Sequence, residues 1–247
     1  MDYNLMLGAG NSASNISLKR FVCGIEIAKR IMNEPRTKLI ILGTRAFAEE
    51  VADLVSDCDE YRLVGFGENW ERERRSATLL DHPIIWIDDL RPFAEDHQVV
   101  CAIGTVQRSF FIKQVESLGF RFATIRHPGA RVSKTSMIGT GTIVSVGVVV
   151  AAQTRVGRYV ILNRGCLIGH HTTIGDYVTI SPGANIAGRV TIGEQTFVGI
   201  GATILEDIEI GHHAIIGAGS VVTKDVPDNV QVVGAPAQIT KENVQGR

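Results

Sequence analysis

Cysteine is scarce in this chain, and the few cysteines do not form a metal-binding or redox motif. Cys23, Cys58, Cys101 and Cys166 stand far apart in 247 residues, with no Cys-x-x-Cys spacing among them. This spacing argues against a zinc site and indicates reduced side chains that pack in the interior. Because reduced cysteines are typical of reducing compartments, we expect a cytoplasmic protein that holds no metal.

Three further absences narrow the class of protein. No run of apolar residues is long enough to span a bilayer. The first residues lack the charged start, apolar stretch and small-residue cleavage site of a secretory signal. The 25 Lys and Arg residues are balanced by 26 Asp and Glu residues and form no basic stripe. We therefore expect a soluble protein of one or two domains that binds neither nucleic acid nor membrane.

A period of six residues dominates the second half of the chain. Every sixth residue is aliphatic at sixteen successive positions: Val132, Ile138, Val144, Val150, Val156, Leu162, Ile168, Ile174, Ile180, Ile186, Ile192, Val198, Ile204, Ile210, Ile216 and Val222. Six residues match neither a helix nor a lone strand, so the period predicts a parallel β-helix built from short strands and turns. Three hexads, roughly 18 residues, would close one triangular coil with the aliphatic side chains inside. The small residues that follow them, often glycine, would let the chain bend at the corners. The period alone is also compatible with a prism that is purely structural.

A different pattern precedes the repeat. Apolar runs predict strands at 39–42, 61–66, 84–87, 99–103 and 121–125, and helical periodicity predicts helices over 46–55 and 107–118. This alternation predicts a small α/β unit of the nucleotide-binding type, which ends at His127-Pro128. Its first loop, Gly43-Thr44-Arg45, carries one glycine where phosphate-binding turns usually carry several, so ligand binding and simple packing are equally compatible with it.

These patterns divide the chain into four parts. We predict an N-terminal extension over 1–37, a Rossmann-like domain over 38–127, a β-helix over 128–226 and a C-terminal tail over 227–247. The extension has one apolar helical side, which either packs on the α/β unit or docks on a partner or membrane surface.

Two histidine pairs are the candidates for chemistry in the repeat. His170-His171 and His212-His213 each follow an Ile-Gly pair, which places them outside the aliphatic stack. A neutral imidazole is basic enough near pH 7 to serve as a general base. Because a solvated surface histidine has the same pattern, the residues alone leave the role of each pair open.

Three segments carry a resemblance to a known family. Together with the hexads, Asn163-Arg164-Gly165-Cys166-Leu167-Ile168-Gly169-His170, Ser181-Pro182-Gly183-Ala184 and Val233-Gly234-Ala235-Pro236-Ala237 resemble the left-handed β-helix, or hexapeptide-repeat, acyltransferases. With the α/β unit in front, the chain is similar over roughly 38–239 to the bacterial nucleotide-sugar acetyltransferases of the bacillosamine, perosamine and sialic-acid-modifying type. The resemblance implies a small Rossmann-like domain followed by a left-handed parallel β-helix, in a homotrimer with active sites between subunits.

The same resemblance implies a reaction. The expected activity is transfer of the acetyl group of acetyl-CoA to the 4-amino group of a nucleotide-linked 4-amino-4,6-dideoxy sugar, for surface polysaccharide or glycan biosynthesis. The alternatives are O-acetylation of a sugar such as sialic acid and, in another class, a trimeric scaffold without catalysis.

The resemblance also assigns roles to residues. His170 is the expected general base, Asn163 lines the same site, and the backbone N–H of Gly188 meets the developing oxyanion. Gly188 lies 18 residues after His170, which is one coil further on. The residues expected to bind the nucleotide sugar are Gly43, Thr44, Arg45, Glu68, Asn69, Gly104 and Arg108. Those expected to bind acetyl-CoA are Thr179, Gly201, Ala202, Gly217, Ala218, Gly234 and Pro236.

The chain departs from the family pattern at three places. His171 stands where a carboxylate usually orients the catalytic imidazole, which weakens the expected dyad. Thr179 replaces a second histidine that commonly contacts the acetyl donor. The single glycine of the first loop favours a guanosine or thymidine nucleotide over a uridine nucleotide.

Overall fold

The computed structural model describes residues 36–105 and 108–246, and Thr37–Arg247 form one compact unit. The helical side predicted within 1–37 lies outside the described residues, as do Cys23 and the first residue of the helix predicted over 107–118. No helix within the described ranges is both long enough and apolar enough to cross a membrane.

The first part of the described chain is an α/β unit. Its elements are β1 (Thr37–Leu42), α1 (Ala46–Ser56), β2 (Tyr61–Glu68), β3 (Thr78–Leu79), β4 (His82–Trp86), β5 (His97–Cys101), α2 (Arg108–Ser117) and β6 (Arg121–Phe122), with 3-10 turns at Arg72–Ser76, Ile87–Asp89 and Arg91–Phe93. The strands form one sheet in the order β3-β4-β2-β1-β5-β6, parallel except for the β3–β4 pair.

Strand β1 is apolar at successive positions because the sheet is covered on both of its faces. Leu39 and Ile41 pack in a cluster with α1, whereas Ile40 and Leu42 pack in a second cluster with α2. A parallel strand buried on both faces needs apolar residues at successive positions rather than alternation. The predicted sheet strands are present, with ends that differ by up to two residues at most positions.

The strand predicted over 121–125 is wrong in one respect. Only Arg121–Phe122 join the α/β sheet; Ile125–Arg126 form a separate strand, β7, which pairs with Ile143–Val144 of the repeat. The stack therefore begins one strand before the first aliphatic hexad. The hexad pattern does not reveal this strand because Arg126 occupies the position that is aliphatic in later coils.

The repeat folds as two-residue strands. They are β7 (Ile125–Arg126), β8 (Arg131–Val132), β9 (Met137–Ile138), β10 (Ile143–Val144), β11 (Val149–Val150), β12 (Arg155–Val156), β13 (Ile161–Leu162), β14 (Leu167–Ile168), β15 (Thr173–Ile174), β16 (Thr179–Ile180), β17 (Asn185–Ile186), β18 (Thr191–Ile192), β19 (Phe197–Val198), β20 (Thr203–Ile204), β21 (Glu209–Ile210), β22 (Ile215–Ile216) and β23 (Val221–Val222). Two longer strands, β24 (Gln231–Gly234) and β25 (Ala237–Lys241), follow; β24 pairs with β22, and β25 turns back on β24 in antiparallel pairing.

These strands form the three faces of a triangular prism. Within each face the strands are parallel, except for the antiparallel β24–β25 pair. Face 1 contains β7, β10, β13, β16, β19, β22, β24 and β25; face 2 contains β8, β11, β14, β17, β20 and β23; face 3 contains β9, β12, β15, β18 and β21. From β7 to β20, each strand pairs with the strand 18 residues further on, as Ile168 does with Ile186, whereas β22 pairs with β24 at an offset of 16 residues. We call the turn from face 1 to face 2 corner 1, the next turn corner 2 and the turn back to face 1 corner 3. The predicted fold class, an α/β unit followed by a left-handed parallel β-helix, is confirmed.

The interior of the prism has the composition that the hexads predict. The repeating aliphatic residues and the residues two positions before them form one buried cluster, and Cys166 lies within it. Threonines also occupy the inward positions. Thr154 and Thr196, for example, donate their Oγ1 hydrogen to the carbonyl oxygens of Gly169 and Gly211 at 2.8 Å. A buried hydroxyl is tolerated because it is hydrogen-bonded to the next coil.

The small residues that follow the aliphatic positions were expected to let the chain bend at the corners. The structure gives a different reason for their small size. The left-handed backbone lies two residues further on, at Gly165 in corner 1 and at His171 in corner 2, for example. The earlier glycine is required by close approach between coils. A Cβ atom on Gly169 would lie 2.3 Å from the carbonyl oxygen of Ala187 in the next coil.

Arg108 connects the α/β unit to the β-helix. Its side chain is 1% exposed, and its guanidinium donates to the carbonyl oxygens of Tyr159 (3.3 Å), Val178 (3.1 Å), Tyr177 and Thr105. Burial lowers the pKa of Arg108 to about 10. The buried cation is held by carbonyl dipoles of corner 3, which fixes α2 against that corner.

We expect Arg108→Met to destabilise the fold by about 3 kcal/mol, because buried carbonyl oxygens would lose their donor. Urea unfolding measures the loss. Arg155→Met, at an exposed position on face 3, is the matched control and should change the unfolding midpoint little. Equal losses for the two variants would contradict this role for Arg108.

Candidate active site

His170 and Gly188 lie one above the other at corner 2. His170 follows β14, and Gly188 occupies the same position after β17 in the next coil. The two coils are joined here by a hydrogen bond from the Arg189 N–H to the His170 carbonyl oxygen at 2.8 Å. The ladder therefore fixes the position of the His170 backbone relative to Gly188.

The imidazole of His170 occupies the space that a side chain at Gly188 would need. A Cβ atom on Gly188 would lie 2.7 Å from Cε1 and 2.8 Å from Nε2 of His170. Within the described part of the chain, the N–H of Gly188 has no hydrogen-bond acceptor. The absence of a side chain thus lets the ring lie against Gly188, beside a backbone donor that remains available to a ligand.

The ring of His170 has one polar side-chain partner among the described residues. Its Nδ1 lies 3.0 Å from Nδ1 of His171, and the two rings are nearly perpendicular, at 87°. Both histidines are exposed. Nearby, Arg189 forms a two-bond ion pair with Asp207, with distances of 2.5 Å and 2.7 Å. That hydrogen bond, with a smaller contribution from His170, lowers the pKa of Asp207.

The second histidine pair has a different geometry, at corner 3. Nδ1 of His212 accepts the backbone N–H of Glu194 at 3.1 Å. In the neutral ring this places the proton on Nε2, which leaves no basic nitrogen facing outward. Of the two pairs, His170-His171 therefore has the geometry better suited to a general base.

Four of the seven expected acetyl-CoA residues lie on another edge of the prism. Gly201, Ala202, Gly217 and Ala218 belong to corner 1, as does Asn163, whose Nδ2 donates to the carbonyl oxygen of Ile180 at 3.3 Å. A single chain thus separates these residues from His170 and Gly188 by the width of face 2.

The surroundings of the expected acetyl-CoA residues differ from one to the next. Gly201 and Ala218 are exposed at corner 1, whereas Ala202 is wholly buried in the prism and both of its backbone polar groups are hydrogen-bonded. Thr179 is buried on face 1. Gly234 and Pro236 are exposed in the turn between β24 and β25.

A cavity of about 480 Å³ lies at the carboxyl edge of the α/β sheet. It is lined by Gly43, Thr44, Arg45, Glu68, Asn69, Trp70, Ile103, Phe110 and Phe111. Ligands of open α/β sheets bind at this edge, where loops follow the strands. Five of the seven residues expected to bind the nucleotide sugar come together here.

The other two nucleotide-sugar residues do not line this cavity. Gly104 is exposed beside Ile103, and the guanidinium of Arg108 is turned toward corner 3. Sequence reasoning missed the aromatic side chains, of which Trp70 is 82% exposed and Phe110 is 66% exposed. The sequence does place these large apolar residues directly after β2 and near the start of α2, and this placement is what points to the cavity.

Glu68 organises the polar side of the cavity. Its carboxylate is 6% exposed and accepts hydrogen bonds from the Thr44 hydroxyl and from the backbone N–H groups of Asn69 (2.9 Å) and Trp70 (2.7 Å). Burial alone favours the protonated acid. The hydrogen bonds from Thr44, Trp70, Glu71 and Asn69 outweigh burial and hold the pKa of Glu68 below its usual range.

The sequence and the fold both match known proteins. The family of bacterial transferase hexapeptide repeats (six repeats) matches residues 189–224. No curated protein matches the chain in sequence. Within the described ranges, no group of three or more His, Cys, Asp or Glu side chains is placed to hold a metal ion.

Solved structures extend the similarity to most of the chain. A variant of perosamine N-acetyltransferase from Caulobacter crescentus, in complex with CoA and GDP-perosamine, is 28% identical, with a TM-score of 0.77 over 83% of this chain and 97% of that chain. The acetyltransferase domain of PglB from Neisseria gonorrhoeae and WeeI from Acinetobacter baumannii are each 28% identical, with TM-scores of 0.75 over 83% of this chain and 100% of theirs. The expected resemblance of this chain to bacterial sugar acetyltransferases is confirmed.

The depressed pKa of Glu68 predicts a pH-dependent contribution to stability. Because the folded-state pKa lies below the unfolded value, the contribution is complete above the unfolded pKa and is lost as the pH falls through the folded pKa. We expect Glu68→Gln to destabilise the protein at pH 7 and the difference from wild type to shrink below about pH 4. Thermal unfolding across this range measures it. Glu73→Gln, an exposed change in the same segment, is the control, and a pH-independent effect of Glu68→Gln would contradict the interpretation.

Proposed function

We propose that this chain transfers the acetyl group of acetyl-CoA to the 4-amino group of a nucleotide-linked 4-amino-4,6-dideoxy sugar in the cytoplasm, for surface polysaccharide or glycan biosynthesis. The observation that carries the proposal is the contact of His170 with Gly188 at corner 2. That contact puts a basic ring nitrogen and an available backbone N–H side by side. The similarity to a perosamine N-acetyltransferase in complex with CoA and GDP-perosamine supports the choice of reactants.

The geometry suits a direct transfer without a covalent enzyme intermediate. The amine nitrogen forms a bond to the thioester carbonyl carbon, and the carbon–sulfur bond then breaks to release the thiolate of CoA. His170 Nε2 accepts the proton that the amine loses and returns it to the sulfur, which leaves as a thiol. The backbone N–H of Gly188 donates to the oxygen that becomes negative in between.

We propose a homotrimer, because the two halves of the reaction site lie on different edges of one chain. His170 and Gly188 are at corner 2, whereas Asn163 and most of the expected acetyl-CoA residues are at corner 1. A three-fold arrangement of prisms brings corner 1 of one copy to corner 2 of its neighbour. Exposed apolar side chains at or beside these edges, such as Leu167, Ile200 and Leu205, suit such contacts.

The cavity of the α/β unit is the proposed nucleotide site. Arg45 lies at its mouth, paired with Glu71, and offers a positive charge to a diphosphate. The exposed rings of Trp70 and Phe110 offer flat apolar faces to a base. The buried Glu68 carboxylate is an acceptor that suits hydroxyl or amino hydrogens of a nucleoside.

We expect His170→Ala to lower kcat/KM for acetyl transfer by about a hundredfold or more, since a general base contributes that much. Thermal stability should change little because the side chain is exposed. Release of free thiol from acetyl-CoA, followed with a panel of amino-sugar nucleotides and sialic acids, is the measurement. His212→Ala is the control.

The panel also separates the alternative functions. Turnover with sialic acids but not with amino-sugar nucleotides would replace N-acetylation by O-acetylation. No thiol release with any acceptor would favour a scaffold without catalysis, and full activity of His170→Ala would reject the assigned base.

We expect Gly188→Ala to lower kcat/KM by about a hundredfold, because the new methyl group would push the His170 ring out of place and small displacements of reacting groups cost this much. The Gly188 backbone is not left-handed, so alanine fits without conformational strain. Glu206→Ala, at the equivalent position one coil further on, is the control. Unaltered turnover in Gly188→Ala would show that the ring does not work from this position.

A further inference from the structure

We propose that His171 is a positioning residue, which holds His170 in the tautomer that can act as a base. This inference rests on the proposed function, since it assigns a neutral imidazole to the task that a carboxylate performs in the family that the chain resembles. The observation behind it is the 3.0 Å separation between Nδ1 of His170 and Nδ1 of His171.

Two ring nitrogens at this distance share one proton. If both carried a proton they would repel, and if neither did, two lone pairs would face each other. The neutral pair therefore has two arrangements. In the first, His170 donates its Nδ1 hydrogen to His171 and its Nε2 is free to accept a proton. In the second, His171 donates and Nε2 of His170 is already protonated.

Only the first arrangement is compatible with general-base catalysis. When Nε2 of His170 accepts the proton of the amine, the ring becomes an imidazolium that still donates its Nδ1 hydrogen to His171. The hydrogen bond thus remains in place from the resting enzyme to the protonated state. The second arrangement has no basic nitrogen toward the substrate.

The backbone at corner 2 holds the two rings in this relation. His171 has a left-handed φ of 58°, and its N–H donates to the carbonyl oxygen of Ala152 at 2.9 Å. In three other coils, Gln153, Arg189 and Asp207 take the same conformation at the equivalent position. On its other side, the ring of His170 lies against Gly188. The position of His171 is therefore set by the coil itself.

Among the described residues, no charged side chain forms a hydrogen bond to Nδ1 of His170, whose polar partner is His171. The preceding coil contributes Ala152 and Gln153, which carry no charge, and the following coil contributes Arg189. The coil beyond contributes Glu206 and Asp207. Of these, Asp207 is the carboxylate that interacts with His170 through its charge, but its oxygens accept two hydrogen bonds from Arg189.

This arrangement requires a neutral His171. A protonated His171 cannot accept the Nδ1 hydrogen of His170, and its charge disfavours a second imidazolium beside it. A carboxylate at position 171 would also accept this hydrogen and would stabilise the imidazolium.

The test compares three variants. His171→Phe keeps the ring but removes the acceptor, and should lower kcat by about tenfold or more with an unchanged KM for acetyl-CoA. His171→Glu should restore kcat, because a carboxylate also accepts the Nδ1 hydrogen of His170. His213→Phe, which also replaces a left-handed histidine that follows a histidine, is the matched control and should retain wild-type kcat.

Nitrogen-15 NMR of histidine-labelled full-length protein gives a readout that needs no turnover. The inference predicts the Nδ1–H tautomer for neutral His170 in wild type and its loss in His171→Phe. An Nε2–H tautomer for His170, or full kcat in His171→Phe, would overturn the role of His171 even if acetyl transfer is observed. Absence of acetyl transfer together with the Nδ1–H tautomer would reject the proposed function and leave the hydrogen bond intact.

Discussion

The parallel pairing of each residue with the residue 18 positions further on is the constraint on which the rest of the structure depends. It is made by backbone hydrogen bonds between coils, such as the one from the Gly169 N–H to the Ile186 carbonyl oxygen at 2.8 Å. Because the interior is filled by aliphatic side chains, the coils cannot slip without exposing them. An outward side chain consequently has a fixed neighbour in the next coil, and this is how Gly188 comes to lie against His170.

The same constraint places different groups of residues on different edges of the prism. Residues that differ by 18 share a corner, so the histidine pair and Gly188 are confined to corner 2, and Asn163 and the exposed glycines of the later coils to corner 1. Face 1 contributes the outward side chains of Ile125 and Ile143 to the core of the α/β unit. One chain therefore offers an edge with the histidine pair, a second edge with small residues and a covered face, which suits the proposed assembly in which edges of different copies meet.

The β-helix was predictable from the sequence because its signal is periodic and repeated sixteen times. The polar half of the α/β cavity was also predictable, since Gly43, Thr44, Arg45, Glu68 and Asn69 follow two parallel strands that end at the same edge. Trp70 and Phe110 were not predictable, because a single exposed aromatic residue shows no periodicity and cannot be told in the sequence from any other surface residue. The placement of Arg108 depends on carbonyl groups as far away in sequence as Val178, 70 residues on, and no local pattern encodes such a contact.

The departure at position 171 shows how far residue types alone can mislead. From the sequence, a histidine in place of a carboxylate is a loss of the group that orients the base. In the structure, the replacement keeps a ring nitrogen at 3.0 Å from Nδ1 of His170 and removes one negative charge. Corner 2 already carries Glu206 and Asp207, and the proposed reactants bring the phosphates of CoA and of a nucleotide. Charges within about 8–10 Å of one another are only partly screened at physiological salt. For the proposed reaction, an uncharged acceptor at position 171 would preserve the orientation of His170 and reduce repulsion toward anionic substrates, at the cost of a weaker stabilisation of the imidazolium.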